Sequence, residues 1–368
     1  MRMTSLGKCL MVAHSSGTLL GGAELSLIQM IVGLRYIGLD VTVALPNLDN
    51  KKYNEMILHT GSSLIQMPTG PRIVVGVVDS EIIDMYFRLI RQEDYEFVIT
   101  NTIVPFAPLL AAKSAGVTTI TFLREDLWNN EILRFTHSNT FSLTKSLLLN
   151  SDFIICNSNY TLTQLPESSN TFHLPNLPNQ IEGLLELERS KNLNGTLKVS
   201  MVGEISSNKG FYELLTLAKS PEEFDISFQL IGSPRFDFDL SLLENLPQNI
   251  KYLGYLSDPR ELYASTDVLI SLSKNESFGR TILESMAAMV PVVSWDQGGR
   301  SELIMNGVTG FKHKIGNITS FADSLKFLAA NTGHRLKMGE AAREYFGQNW
   351  SQEIYRTSLE EIFLEITN

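Results

Sequence analysis

Asp267-Val268-Leu269-Ile270-Ser271-Leu272-Ser273 leads through Lys274 into Asn275-Glu276-Ser277-Phe278-Gly279-Arg280-Thr281-Ile282-Leu283-Glu284-Ser285-Met286-Ala287, and Val290-Pro291-Val292-Val293-Ser294 follows. The first run is short and almost continuously apolar, the pattern of a buried parallel strand. Beyond Gly279, the apolar residues Ile282, Leu283, Met286 and Ala287 repeat with helical spacing, and the Val290 run is again strand-like. Strand, turn, helix and strand in that order make a parallel α/β unit. Gly279 stands where the backbone must pass close to something. Glu276 precedes the helix, and Glu284 lies about one and a half turns inside it. Free amides at a helix start favour an anion, and two carboxylates can accept hydroxyl hydrogens. A ligand with both phosphates and many hydroxyls, a nucleotide sugar, suits that combination.

The same alternation extends outward in both directions. Upstream, strands are predicted at Cys9 to Ala13, Val41 to Leu45, Phe97 to Thr100, Thr118 to Phe122 and Phe153 to Cys156, with a helix from about Ala23 to Ile37. The pattern breaks at Leu174-Pro175-Asn176-Leu177-Pro178, where two prolines forbid regular helix or central strand. It restarts at Leu197 to Gly203 and continues through Ser227 to Ile231, Lys251 to Gly254 and the run that ends at Ser294, with helices after Asn317. The expected organisation is a domain over 1–178, a second over 179–350, and a last segment, 351–368, whose helix has no strand left to follow.

Four glycine-bearing motifs in order resemble one family. The Glu-x7-Glu pair around Phe278-Gly279, the Pro-Val-Val strand, the Gly298-Gly299 helix start and the Asn306-Gly307-Val308-Thr309-Gly310 turn are similar to the retaining glycosyltransferases of family 4. Gly21-Gly22-Ala23-Glu24 looks like that family's N-terminal glycine loop, Val202-Gly203 through Lys209-Gly210 like its phosphate loop, and Leu253-Gly254-Tyr255-Leu256 like its base-contacting loop. The resemblance implies a GT-B fold: α/β, with two Rossmann-like, doubly wound parallel-sheet domains facing across a cleft, and a chain end that crosses back to the first. It implies transfer of a hexose from a nucleotide-diphosphate sugar, a UDP-hexose first and GDP-mannose second, to a glycan or lipid-linked acceptor. The first domain would bind acceptor and the second donor, closing about a hinge at Pro175 to Pro178.

Residue roles follow from the same resemblance. Glu276 would meet the sugar hydroxyls and Glu284 the ribose, with Ser277, Phe278, Gly279, Arg280 and Thr281 presenting amides to sugar and diphosphate. Lys209 would stabilise the leaving diphosphate, with Gly21, Gly22, Ser233, Tyr255 and Leu256 completing the donor site. Many members carry a histidine where this chain has Leu123-Arg124-Glu125-Asp126, so Arg124 is the cation expected near the reacting centre. Glu204 stands where the family usually has arginine. If it faces the diphosphate it needs a cation, Arg280 before Arg124 or Arg300, because an unpaired carboxylate there is costly. Asn101, Thr102, Ser158 and Asn159 follow core strands and are further candidates.

Composition narrows the alternatives. With 43% hydrophobic residues over 368 positions the chain can bury ordinary cores, and a net charge of −10 without a basic cluster argues against nucleic acid. The apolar run after Lys8 is too short for a signal peptide or a span, so a cytoplasmic protein is expected, with peripheral association at the inner membrane face left open. Cys9 and Cys156 read as buried thiols and His14 as a loop histidine. Asp237 and Asp239 read as helix-start residues, and no metal or cofactor is expected. Five Asn-x-Ser/Thr sequons, at Asn159, Asn194, Asn275, Asn317 and Asn349, are taken as chance because one falls in the site. Two rivals remain: a non-catalytic nucleotide-sugar-binding subunit of a polysaccharide assembly complex, and a phosphorylase-like enzyme with pyridoxal phosphate on a lysine, for which the chain looks short.

Overall fold

The computed structural model describes residues 6–17, 21–68, 79–129, 147–168, 170–178, 181–187, 195–219 and 225–368, so that Asn194 lies outside the described residues. The chain divides into two compact units, Met1–Asn179 with Gln352–Asn368, and Gln180–Ser351. The first unit holds strands β1 (Gly7–Val12), β2 (Leu39–Leu45), β3 (Ser63–Gln66), β4 (Phe97–Thr100), β5 (Thr118–Leu123), β6 (Phe153–Cys156) and β7 (Thr171–His173). They form one parallel sheet in the order β3-β2-β1-β4-β5-β6-β7. The second unit holds β8 (Leu197–Val202), β9 (Ile226–Ile231), β10 (Ile250–Gly254), β11 (Val268–Ser271), β12 (Val292–Trp295) and β13 (Gly310–His313). Its parallel order is β10-β9-β8-β11-β12-β13.

Both orders reverse direction once, between β1 and β4 and between β8 and β11. The loops leaving the two central strands therefore diverge and open a crevice at the strands' carboxyl ends, where such sheets bind ligands. Each sheet is held by its own core. In the first, Leu10, Val12 and Val98 pack with Tyr86, Ile90 and Ala111; in the second, Met201, Ile270 and Val293 pack with Phe211, Leu214 and Leu325. Trp295, at the end of β12, meets Phe321 edge-on with centroids 4.7 Å apart. Cys9 and Cys156 are free, buried thiols, and burial raises both above the usual thiol range.

The sequence pattern missed β3, β7 and β13, and all three are sheet edges. An edge strand is covered incompletely, so Ser63-Leu64-Ile65-Gln66 and Thr171-Phe172-His173 need no continuous apolar run to belong to the sheet. Gly310, which closes the Asn306–Gly310 turn, also starts β13. Among the described residues no helix is long and apolar enough to cross a membrane.

The helix Gln352–Thr367 belongs to the first unit, where it lies against the helix Gly22–Tyr36. Gly33 permits the close approach: a Cβ there would stand 2.7 Å from Leu359 Cδ2 and 3.0 Å from Tyr355 Cε1. Phe363 adds an edge-on contact with Phe97 of β4, at 5.8 Å. Leu359 is fully buried while Leu364 is exposed on the same helix. Leu359→Ala should accordingly destabilise the first unit by about 2–5 kcal/mol, and Leu364→Ala should stay within about 0.5 kcal/mol. Urea unfolding followed by circular dichroism measures both, and equal midpoints would contradict this packing.

Candidate active site

The crevice of the second sheet is built from the loop after β8 and the loop after β11. Gly210, with φ +95°, begins the helix Phe211–Ala218, and a Cβ there would collide with Leu272 at the end of β11. The loops are then stitched together: Lys274 N–H donates to the Asn208 carbonyl at 2.8 Å, and Asn275 Nδ2 donates to Asn208 Oδ1 at 3.1 Å. That stitching brings Lys209 Nζ to 2.9 Å from Glu276 Oε2. Two residues expected to serve different parts of one ligand are therefore paired with each other, and both side chains are half-buried.

Burial would push the Glu276 carboxyl upward, but Lys209, helped by Arg300 and Arg280, holds it below the usual carboxylate range. Arg300 is completely buried. It reaches this neighbourhood because Gly298-Gly299 lie directly on the Glu276 loop. Gly299 N–H donates to the Glu276 carbonyl at 3.1 Å, and a Cβ on Gly299 would strike the Ser277 carbonyl oxygen. The glycine pair thus has a packing reason as well as starting the short 3₁₀ helix Gly299–Glu302.

Gly279, also left-handed, caps the helix Arg280–Ala287, on which Glu284 stands one turn in. Glu284 is clamped at both oxygens: Arg280 Nε lies 3.4 Å from Oε1, and the buried Tyr263 hydroxyl lies 3.0 Å from Oε2. Burial raises the Glu284 carboxyl, against the pull of Arg280 and Tyr263. Arg280 therefore serves Glu284, which corrects the expectation that it offsets Glu204. Glu204 is exposed and makes no ion pair among the described residues. Ser233, whose carbonyl accepts from Ile205 N–H, follows β9, and Tyr255 and Leu256 follow β10, with Tyr255 exposed. Asp237 forms a two-pronged pair with Arg235, and Asp239 accepts from Ser241 N–H and hydroxyl at the start of the helix Ser241–Glu244. Among the described residues no group of three His, Cys, Asp or Glu side chains is arranged to hold a metal ion.

The first sheet has its own crevice residues, centred on a buried acid. Glu24 accepts from Gly21 N–H at 3.0 Å and from the Ser15 hydroxyl, and His14 Nε2 lies 3.7 Å away. Gly21 and Gly22 thus begin the helix Gly22–Tyr36 with Glu24 folded back onto the cap. Arg124, at the end of β5, is engaged locally: its Nε donates to Asn101 Oδ1 at 3.0 Å, its Nη1 to Asn176 Oδ1, and the guanidinium lies over Phe122. Asn101 in turn donates to the Ala23 carbonyl at 3.1 Å, while Thr102 accepts from Val104 N–H. Ser158 is buried as the cap of the helix Asn159–Leu162. Of these, Gly21 and Glu24 belong to the glycine loop the sequence singles out, whereas Ser15, which donates to Glu24, and Tyr263 in the second unit carry no signal in the sequence pattern.

Two parallel, Rossmann-like sheets with these crevices are the two domains of a GT-B protein. The sequence model described as glycosyl transferases group 1 matches residues 186–345, and that of glycosyltransferase family 4 matches residues 20–170. The chain belongs to this group 1/family 4 of glycosyltransferases. N-acetyl-alpha-D-glucosaminyl L-malate synthase of Bacillus anthracis is 35% identical over 153 residues, 40% of each chain. The capsular polysaccharide biosynthesis glycosyltransferase CapM of Staphylococcus aureus is 26% identical over 186 residues, 49% of each chain. The match thus spans half or less of these relatives' lengths. HepE of Anabaena, solved with UDP, shares the fold, with a TM-score of 0.79 at 20% identity over 97% of this chain and 99% of that one.

Glu125 generates a pH prediction. It accepts from Arg124 N–H at 3.0 Å, yet burial outweighs that bond and lifts its carboxyl from the ordinary 4.5 to about 7. The folded protein then holds a proton that the unfolded chain releases between those values. The associated stability is complete below about pH 4.5 and is lost as pH rises through 7. Glu125→Gln should raise the Tm at pH 8, and the gain should vanish toward pH 4.5; thermal melts across that range check it.

Proposed function

We propose that this chain is a retaining, metal-independent hexosyltransferase that uses a nucleotide-diphosphate sugar, a UDP-hexose before GDP-mannose, and a glycan or lipid-linked acceptor in polysaccharide biosynthesis. The observation that carries the reading is the Lys209–Glu276 pair at the carboxyl ends of β8 and β11, with Glu284 on the helix that follows. A diphosphate would draw the Lys209 ammonium and free Glu276 to accept from sugar hydroxyls, while Glu284 accepts from the ribose diol. Relatives add support: HepE was also solved with UDP-glucose, and CapM is named for capsular polysaccharide biosynthesis.

In the proposed transfer, the bond between the sugar's anomeric carbon and the diphosphate oxygen breaks, and a bond from the acceptor hydroxyl oxygen forms on the same face. The hydroxyl proton passes to the departing diphosphate. Lys209 and the amides around Gly279 stabilise the charge that collects there, which is the main protein contribution to the rate. A purely binding role is the second reading, favoured by one observation: Arg124, the cation expected at the reacting centre, is held by Asn101 and Asn176. Transfer or hydrolysis of UDP-glucose by the purified chain would exclude it.

Calorimetry on two variants tests the assignment. Glu284→Ala should weaken UDP and UDP-glucose alike, by roughly 10- to 100-fold, the range of a hydrogen bond to a charged group. Glu276→Ala should leave UDP affinity intact or improved, since Lys209 loses its competitor, and should weaken UDP-glucose. Equal losses of UDP affinity in both variants would overturn the roles. Turnover should survive a metal chelator; activity restored only by a divalent cation would refute metal independence.

A further inference from the structure

Tyr263 is a buried polar group that the proposed reaction does not use. It lies on the helix Pro259–Ala264, between β10 and β11, and its side chain has no exposure. Its hydroxyl has one hydrogen to donate and stands 3.0 Å from two acceptors, Glu284 Oε2 and the Thr281 carbonyl oxygen, of which the carboxylate is the stronger. Burial, with the Glu284 charge second, keeps the phenol protonated far above neutrality, so it is a permanent donor. Arg280 meets the other carboxylate oxygen of Glu284. Neighbouring charged side chains are engaged elsewhere: Arg343 donates to the carbonyls of Ala287, Leu184 and Leu187, and Arg260 pairs with Asp258.

We propose that Tyr263 is a positioning residue for nucleotide recognition: by donating to Glu284 Oε2 opposite Arg280, it fixes the carboxylate as an oriented acceptor for a ligand's vicinal diol. The inference rests on the reading of Glu284 given above. A carboxylate accepts at several lone-pair sites, so one hydrogen-bond donor at Oε2 and an ion pair at Oε1 leave room for two ligand hydroxyls while setting the direction from which they must come. Tyr263 also acts, after Arg280, against the rise of the Glu284 carboxyl. Burial favours the neutral acid, which would lose acceptor capacity for a diol, and the phenol donor opposes that shift.

The test is UDP binding by calorimetry from pH 6 to pH 8.5 for the wild type, Tyr263→Phe, Glu284→Gln and the double variant. Tyr263→Phe keeps the ring, and its thermal melt reports folding separately. It should bind UDP about tenfold more weakly, with the larger gap at the lower pH because losing the donor raises the Glu284 carboxyl further. In the Glu284→Gln background the same change should have little further effect, because the two side chains act through one contact. Wild-type affinity in Tyr263→Phe, a loss independent of pH, or the same loss in the Glu284→Gln background would overturn the positioning role. If Glu284→Gln itself leaves UDP affinity unchanged, the assignment of Glu284 fails first and this inference with it. A loss confined to Glu284→Gln leaves the assignment standing and removes Tyr263 alone.

Discussion

Parallel strands cannot be joined without crossovers, and a sheet wound outward in both directions from its centre must leave one gap between diverging loops. In the second unit that gap lies beyond β8 and β11, and everything charged in the candidate site is hung on it. Lys209 arrives on the first loop and Glu276 on the second, and their ion pair neutralises two half-buried charges that would each be costly alone. The glycines around the gap make the arrangement possible sterically. Gly210 fits under Leu272, and Gly298-Gly299 let a third loop lie on the Glu276 backbone, which carries the buried Arg300 to the same place.

The two acids of the Glu-x7-Glu pair end in contrasting surroundings. Glu276 has cations near it from several loops, and their attraction exceeds the effect of burial. Glu284 has one arginine and one phenol, and burial prevails. Two carboxylates eight positions apart are therefore held in different electrostatic states by what the tertiary structure sets beside them. In the first unit the balance is different again. Glu24 is consumed in holding a helix cap, a serine and a histidine, and Arg124 ties the ends of β4 and β5 to the Asn176 segment. Polar groups there act first as structure.

Much of this was legible in the chain itself, for identifiable reasons. Central strands such as Cys9-Leu10-Met11-Val12 and Val268-Leu269-Ile270 are covered on both faces, so their apolar runs are unbroken and their positions unmistakable. The edges β3, β7 and β13 carry serine, glutamine, threonine, lysine and histidine and left no such mark. Gly279 and Glu284 could be placed on a loop and a helix because helical spacing is local. The partner of Arg280 could not: Glu204 and Glu284 were both available acids, and the turn of a helix that sets residues four apart side by side decided for Glu284.

Sequence alone determined the class of fold and the order of its central elements, because these follow from periodicity and from glycines and prolines whose backbone limits act within a few residues. Tertiary structure decided which charges neutralise which. Lys209 and Glu276 are 67 positions apart, and Tyr263 and Glu284 are 21 apart. Such pairs form only when the sheet order brings their loops and helices together, and a side chain's hydrogen-bonding capacity says nothing in advance about which of many possible partners the fold will deliver.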